Sequence, residues 1–552
     1  MTTALFDSIA FEVEISSVWY DITADVKKDP APEWNMGIMG NGPTSRVGDS
    51  EYLNFTLDNS QGNSAGLIGY YTPGHANCRT GWTTGLNVRL SFVFEGETFY
   101  KYYGKIAPSG IDIEPGIYGT RTVAVTCHGF MAQAAEHDFS LPTLQTNVTI
   151  DQAVTSLLTN MPIQPLETEF ATGVFTFPTV FDTVRANTRA GAELYKLAMS
   201  EFSYIYTKGD KTGGQTLVVE NRNTRTTADI LVIPQSEADS GFLLKANSAT
   251  DYILKAGSAT DKIILSLTEN ATFENLALDG GMDVSYGKNL TNRVPARTYP
   301  RKVDAAATTV LFLTQERIEL AAGETKTGIK GLYRDPAAGA DYVSGKEMVT
   351  PVSGTDYIMG STPTNADLNA NLTVVATYGT EGVEYEITNT GGTDGYVYLQ
   401  ARGKGIYIYD VVERIAEDED SQNIHGVRSL VIEMKYQNDP ALGEDYSNFV
   451  LVREKDPQLT IERYEMLANK NDDAMLAFLY GEPGGMVPVS ESLTAVNGNY
   501  FIMGYSARIE AGKYVFWSPV LKSVGQDTSW LLGTAGRTEL GTTTILGYPQ
   551  FG

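Results

Sequence analysis

Hydrophobic and polar positions alternate at the start of the chain. Ile9, Phe11, Val13 and Ile15 fall on one face of an extended segment and Glu12 and Glu14 on the other, the period of a half-buried strand. Trp19-Tyr20-Asp21-Ile22-Thr23-Ala24-Asp25-Val26 continues in extended form into a loop rich in Pro, Gly and Met. Further strands are predicted at residues 52–59, 88–94 and 98–106, the last two parted by the hairpin turn Glu95-Gly96-Glu97. Four or more short strands within about 110 residues make a small barrel or sandwich.

The period then changes. Thr149 followed by Gln152 is a capping box, and Ile150, Ala153, Val154, Leu157 and Leu158 supply the apolar stripe of a short helix stopped by Pro162. A second helix is predicted near 191–202, with Leu194, Leu197, Ala198 and Phe202 on one face. It leads into Tyr204-Ile205-Tyr206, a Gly-rich turn and the strand Thr216-Leu217-Val218-Val219-Glu220, an α+β unit. Residues 245–251 recur ten positions later as 255–261, Lys-Ala-Asn-Ser-Ala-Thr-Asp against Lys-Ala-Gly-Ser-Ala-Thr-Asp. Two copies are too few for a solenoid, so a duplicated strand-turn is expected.

Residues 303–402 form an island of about seven short strands separated by turns rich in Thr, Gly, Ala and Asn, with no helical period. This reads as an immunoglobulin-like domain inserted into a host domain. After it, residues 406–410 and 429–434 return to strand. Asp439-Pro440 opens a helix whose buried stripe is Leu442, Tyr446, Phe449 and Val450, since Asp caps and Pro suits the first helical position. Residues 458–464 and 499–505 are strands, and the last ~25 residues read as a Gly/Thr-rich arm.

Composition adds scale to this picture. The 552 residues are enough for roughly three to five domains, and a 42% hydrophobic, 20% charged chain is globular and needs no metal or disulfide staple. The 54 Gly, 31 Tyr and 21 Phe suit short aromatic strands joined by tight turns. A net charge of −26 repels a phosphate backbone, so general nucleic-acid binding is not expected. If the chain lined a passage for DNA, that charge would discourage sticking, although a solvated acidic surface explains it as well. No basic and apolar leader opens the chain, no apolar run reaches the ~18 residues of a spanning helix, and no basic amphipathic stretch suits a membrane surface.

Catalytic chemistry is sparse. The chain has no Gly-x-x-x-x-Gly-Lys-Ser/Thr, no dinucleotide fingerprint and no His-Glu-x-x-His, and its four histidines leave little material for triads. Cys78 and Cys127 each sit near a histidine, His75 and His128, but the four histidines are too scattered for zinc; two buried or half-buried thiols are expected. The run Glu417-Asp418-Glu419-Asp420-Ser421 offers oxygens to calcium but lacks the spacing and central Gly of an EF-hand loop, so it reads as a solvated acidic loop. Tyr100, Tyr102, Tyr103, Tyr407 and Tyr409 have the rings to stack sugars, and packing on the sheet is their commoner use. The expectation is a protein that is not an enzyme, with no catalytic, cofactor-binding or metal residues and no cofactor.

The order of the units carries a resemblance. Residues 19–26, Asn54-Phe55-Thr56-Leu57-Asp58-Asn59, Tyr71-Thr72-Pro73-Gly74, the strand from Gly85 to Phe94 and Tyr103-Gly104-Lys105-Ile106 resemble the first domain of the tail-tip hub (minor tail) proteins of long-tailed bacteriophages. Residues 192–198 leading to 217–222 resemble that family's helix-plus-hairpin element. Residues 420–428, the Asp439-Pro440 helix and 498–504 resemble its closing domain. The resemblance covers most of 10–302 and 403–525 through loose patterns of apolar, Gly and Asn positions, and the insert and the arm depart from a minimal hub.

The fold implied is mainly β with α+β parts and multidomain. Residues 1–125 form a tube-like β-barrel, 126–225 an α+β domain, 226–302 with 403–435 a second, discontinuous tube-like barrel, and 303–402 the inserted immunoglobulin-like sandwich. Residues 436–525 form a closing α+β domain and 526–552 an arm. The function implied is a structural hub of the virion's tail tip. It is a homotrimeric ring of pseudo-sixfold symmetry that caps the tail tube or distal tail protein, holds the tape-measure protein and carries tail-fibre or receptor-binding proteins. No sequence-specific nucleic acid and no membrane-spanning segment are expected. A carbohydrate- or receptor-binding adhesin of the virion surface, with the insert as the binding module, is the alternative, and a tail-associated glycosidase or peptidase is a third.

Overall fold

The computed structural model of the chain describes residues 6–116, 121–139, 144–182, 188–210, 212–227, 232–234, 261–263, 277–338, 342–491 and 493–524. The first strands follow the alternating pattern. β1 (Ser8–Ile15) and β2 (Val18–Asp21) form a hairpin with Phe11, Val13 and Ile15 buried. Residues 22–26 depart from the extended expectation, because Thr23–Asp25 make a turn of 3-10 helix. Local side-chain bonds drive that turn: the Thr23 amide donates to Asp21 Oδ1 at 2.8 Å, and the Phe11 amide donates to Thr23 Oγ1 at 2.8 Å.

β3 (Glu33–Gly37), β4 (Tyr52–Asp58), β5 (Asn87–Phe94), β6 (Glu97–Glu114) and β7 (Thr122–His128) complete the first β unit. The β5–β6 hairpin sets Phe94 opposite Glu97, and its two turn residues, Glu95 and Gly96, have φ of 52° and 77°. Both are left-handed, the twist a two-residue hairpin needs.

The α+β unit follows: α1 (Phe130–Glu136), α2 (Ile150–Thr159), β8 (Glu167–Phe170), α3 (Ala190–Glu201), β9 (Tyr204–Lys208) and β10 (Thr216–Glu220). The Thr149 amide donates to Gln152 Oε1 at 3.1 Å, the returning half of the expected capping box. Every residue of the expected α2 stripe is buried, and so are Leu194, Leu197, Ala198 and Phe202 of the second predicted helix. β10 lies between β8, to which it is parallel, and β9, to which it is antiparallel. β11 (Val232–Pro234) pairs with β12 (Asp261–Ile263). The 245–251 and 255–261 duplication, apart from its last residue, lies outside the described residues.

β13 (Ala277–Tyr286) and β14 (Arg293–Thr298) precede the insert. Its strands are β15 (Arg301–Val303), β16 (Thr309–Leu313), β17 (Ile318–Leu320), β18 (Thr325–Leu332), β19 (Ser344–Lys346), β20 (Tyr357–Gly360), β21 (Leu372–Tyr378), β22 (Gly382–Asn389) and β23 (Gly395–Ile408). The long β23 pairs with β15, β16, β17, β19 and β20, and a second sheet runs β18-β22-β21. Leu311, Met359, Tyr385, Val397 and Leu399 belong to one core shared by both sheets.

β24 (Val412–Glu417), α4 (Glu419–His425), β25 (Ile432–Met434) and α5 (Pro440–Glu454) come next. The sheet β24-β14-β25 shares a core with α5, in which Leu442, Tyr446 and Val450 are buried and Phe449 lies at the margin. Asp439 caps α5 by accepting from the Ala441 amide at 2.9 Å, with Pro440 in the first turn. Asp439→Ala is expected to cost about 1 kcal/mol in urea unfolding, the usual worth of such a cap.

The chain ends its described course with β26 (Leu459–Leu467), α6 (Asp472–Tyr480), β27 (Met486–Glu491), β28 (Val496–Glu510) and β29 (Tyr514–Ser523). These strands join the first β unit in one twelve-stranded sheet, ordered β13-β26-β29-β28-β3-β4-β7-β6-β5-β1-β2, with β27 on β28. The expected tube-like barrels therefore take another form in the single chain, and none of the described sheets closes into a barrel. The cause is the seam where Glu33–Gly37 pairs with residues 504–508 of β28, which continues one β unit into the other. Helix α6 fills the core shared by both halves. Its Phe478 ring lies 5.2 Å from Phe92 of the first half and 6.3 Å from Trp517 of the second. The expected arm, 526–552, lies outside the described residues. Among those described, no helix is long and apolar enough to cross a membrane.

Candidate assembly interface

A sheet ends in strands whose backbone amides and carbonyls lack a neighbour on one side, and such edges pair with other chains unless they are blunted. Among the described residues β2 and β13 each have a single strand neighbour, β1 and β26. β2 stands out from the sheet because Ser16 and Ser17, at φ of 51° and 62°, close a two-residue turn at Ile15–Val18. Sequence reasoning missed this turn, since neither position carries the Gly or Asn that usually marks it. Val18 and Tyr20 are exposed on β2, and Tyr286 at the end of β13 is 72% exposed.

The β2 edge is held by a long loop, residues 59–86, pinned from within. The Tyr71 amide donates to Asn59 Oδ1 at 2.9 Å, and Asn59 Nδ2 donates to Thr72 Oγ1 at 2.7 Å. Buried Asp25 accepts from the Ser64 amide, the Ser64 hydroxyl and the Tyr71 hydroxyl. Arg79 then sets its guanidinium 4.7 Å from the Tyr20 ring centroid. Asn59, Tyr71 and Thr72, quoted above for the hub resemblance, thus position the edge.

Behind the edges, three units meet at buried charges. The Lys101 side chain of β6 is 1% exposed, and its Nζ donates to the carbonyls of Phe478 at 2.9 Å and Leu479 at 3.3 Å and to the Glu482 carboxylate. A cation at the last carbonyls of α6 also faces the negative end of the helix dipole. Burial pulls the Lys101 amine below its ordinary range, and Glu482 opposes that pull. The second oxygen of Glu482 accepts from the Gly209 amide at 2.8 Å, so β6, α6 and the β9–β10 turn share one node. A second node joins the hairpin to β28, where the Arg225 guanidinium lies 5.0 Å from the Phe501 ring centroid. Glu220 accepts from Arg225 Nε and the Tyr206 hydroxyl, both at 2.6 Å, and Arg225 lies 3.7 Å over Tyr204. The insert has its own anchor: Arg301 is buried in a bidentate pair with Asp182 and donates to the Lys435 carbonyl at 2.7 Å.

Sequence reasoning named none of Lys101, Glu482, Arg225 or Arg301. The one local signal was the aromatic flanking of Lys101, between Tyr100 and Tyr102. The residues it did name serve structure. Asp418 caps α4 through the Ser421 amide and pairs with Lys455 at 2.8 Å, which holds its carboxyl below the usual range. Tyr102 is buried and donates to the Cys127 carbonyl, Tyr103 packs against Trp19, and Tyr100 lies under Arg89. Tyr407 donates to Asp304, and Tyr409 is exposed. Cys127 is buried and Cys78 half-buried, both as free thiols. His75 accepts from the Asn77 amide in a turn, and His128 Nδ1 lies 3.5 Å from Glu136. Among the described residues no three His, Cys, Asp or Glu side chains gather to hold a metal ion. A cleft of about 490 Å³ opens where the 38–50 loop crosses α1 and α3, bordered by Met39, Arg46, Asp49, Met131 and the exposed Tyr195.

No family model matches the chain, and no curated protein matches it in sequence. Solved structures to which it is similar include tail and prophage tail proteins. The tail protein from Neisseria meningitidis MC58 is 10% identical with a TM-score of 0.43, over 94% of this chain and 98% of that one. The 43 kDa tail protein of prophage MuSo2 from Shewanella oneidensis is 9% identical with a TM-score of 0.42, over 94% and 99%. The prophage tail protein gp18 from Listeria monocytogenes EGD-e is 9% identical with a TM-score of 0.37, over 92% and 94%.

Proposed function

We propose that this chain is the structural hub of a bacteriophage tail tip, acting through interfaces and without catalysis. One observation carries the reading: among the described residues two β units run as one open twelve-stranded sheet, with a strand edge at each end. Pairing β2 of one copy with β13 of the next is a heterologous contact, which generates a closed ring when the rotation fits. The resemblance in the order of units supports three copies, so that six β units line a tube-like wall and adapt a sixfold tube to a threefold tip. In this reading the ring caps the tail tube or distal tail protein, holds the tape-measure protein and bears fibre or receptor-binding proteins. The inserted, immunoglobulin-like sandwich projects as decoration, in the virion's tail tip.

Light scattering over a dilution series tests this. The expected species has three times the 60.0 kDa chain mass, and Trp19→Pro on β2 is expected to return it to the monomer. Wild type that stays a monomer, alone and with its tube protein, overturns the ring and favours the adhesin.

A further inference from the structure

We propose that Glu51 is a protonation-dependent latch between the large sheet and the α+β unit: as a neutral acid it seats helix α1, and its ionisation loosens that seat. Tyr52 pairs with His128, so Glu51 and Gly129, one residue beyond each strand, lie side by side, and the Gly129 amide donates to the Glu51 carbonyl at 3.0 Å. The side chain is pressed over the first turn of α1, where a Cβ on Gly129 would stand 2.1 Å from Glu51 Oε2. Glu51 is 1% exposed, and among the described residues neither carboxyl oxygen closes a hydrogen bond.

The groups facing it are neutral. From α1 come the Phe130 and Met131 amides, from the approach to β10 the Gln215 carboxamide, and from β6 and β28 the buried phenols of Tyr102 and Tyr505. His128 of β7 is turned toward Glu136, and Lys101 of β6 is paired with Glu482. A carboxylate here has no counter-charge, and burial of an unpaired charge is costly. Burial accordingly pushes the acid up to about 8, against the weaker pull of the amides and Gln215.

The sign follows from linkage. A carboxyl raised in the closed state binds more protons there than in the opened state, so the joint weakens as pH rises from the ordinary carboxyl range to about 8. Hydrogen exchange of the full chain over residues 130–136, corrected for intrinsic rates, reads this directly. Between pH 6 and 8 the opening constant is expected to rise about 50-fold in wild type and less than about twofold in Glu51→Gln. Wild-type protection that is flat, or an equal rise in the variant, overturns the latch. Should Glu51→Gln not fold, the protonated-carboxyl infrared band of wild type decides. A component present at pH 7 that titrates away around pH 8 supports the latch, and its absence already at pH 7 overturns it.

Discussion

Lys101→Ala is expected to lower the unfolding free energy by about 3–5 kcal/mol, the range for breaking a buried ion pair from one side. Three losses coincide at this side chain. The Phe478 and Leu479 carbonyls at the end of α6 lose their donor, and each unsatisfied buried acceptor costs about 1–3 kcal/mol. Glu482 keeps its charge without its partner, although it is 18% exposed and water recovers part of that loss. The stem also leaves a hole beside Phe478 and Tyr505, whose ring centroids lie 4.8 and 5.2 Å from Nζ. Lys101→Met fills the hole and keeps only the polar losses, so it is expected to cost about 1–3 kcal/mol. Denaturant unfolding followed by tryptophan fluorescence separates the two variants. A Lys101→Ala protein within 1 kcal/mol of wild type would show that the node contributes little.

Gly504→Ala is expected to cost about 3 kcal/mol or more, at the upper end of overpacking. The added methyl would stand 2.6 Å from both the backbone N and O of Ile38 and 2.7 Å from the Met36 carbonyl. These are main-chain atoms and cannot rotate away. Its partner in the register is Gly37, at φ +82°, so both faces of the seam are glycine where the two β units meet. Relief of the clash requires β3 and β28 to part. Loss of the high-mass species is therefore expected together with the loss of stability. Gly392→Ala, with nothing within 4 Å of the new methyl, is the control and is expected to stay within about 0.5 kcal/mol. A Gly504→Ala protein as stable as the control would mean that the seam is not tight.

Much of the local structure was legible because its causes are local. Apolar period places β1 and α3 and, with the Thr149/Gln152 capping box, α2, while Asp439-Pro440 and the turn at Glu95-Gly96-Glu97 mark a cap and a hairpin through their own backbone chemistry. The Ser16-Ser17 turn was not legible, because two serines there adopt a conformation that the hairpin imposes on them. Nor were the buried charges, since Glu51 and Lys101 look like any solvent-facing residue until a second segment covers them. Asp418, legible as an acid, became a cap and an ion-pair partner once Lys455 arrived from 37 positions along the chain.

The sequence by itself determined the mainly β character, the positions of α2, α3 and α5, the run of short strands in the insert and the scarcity of catalytic motifs, because periodicity, capping and composition act over a few residues. Helices α1, α4 and α6 were not read from it, and the acidic run at 417–421, expected as a solvated loop, enters α4. Only the tertiary structure decided that the two β units share one open sheet, which edges that sheet leaves, and which charges are buried between units. Those outcomes depend on pairings between segments hundreds of residues apart, such as β3 with β28. A strand's pattern states which face it buries and says nothing about which strand lies beside it.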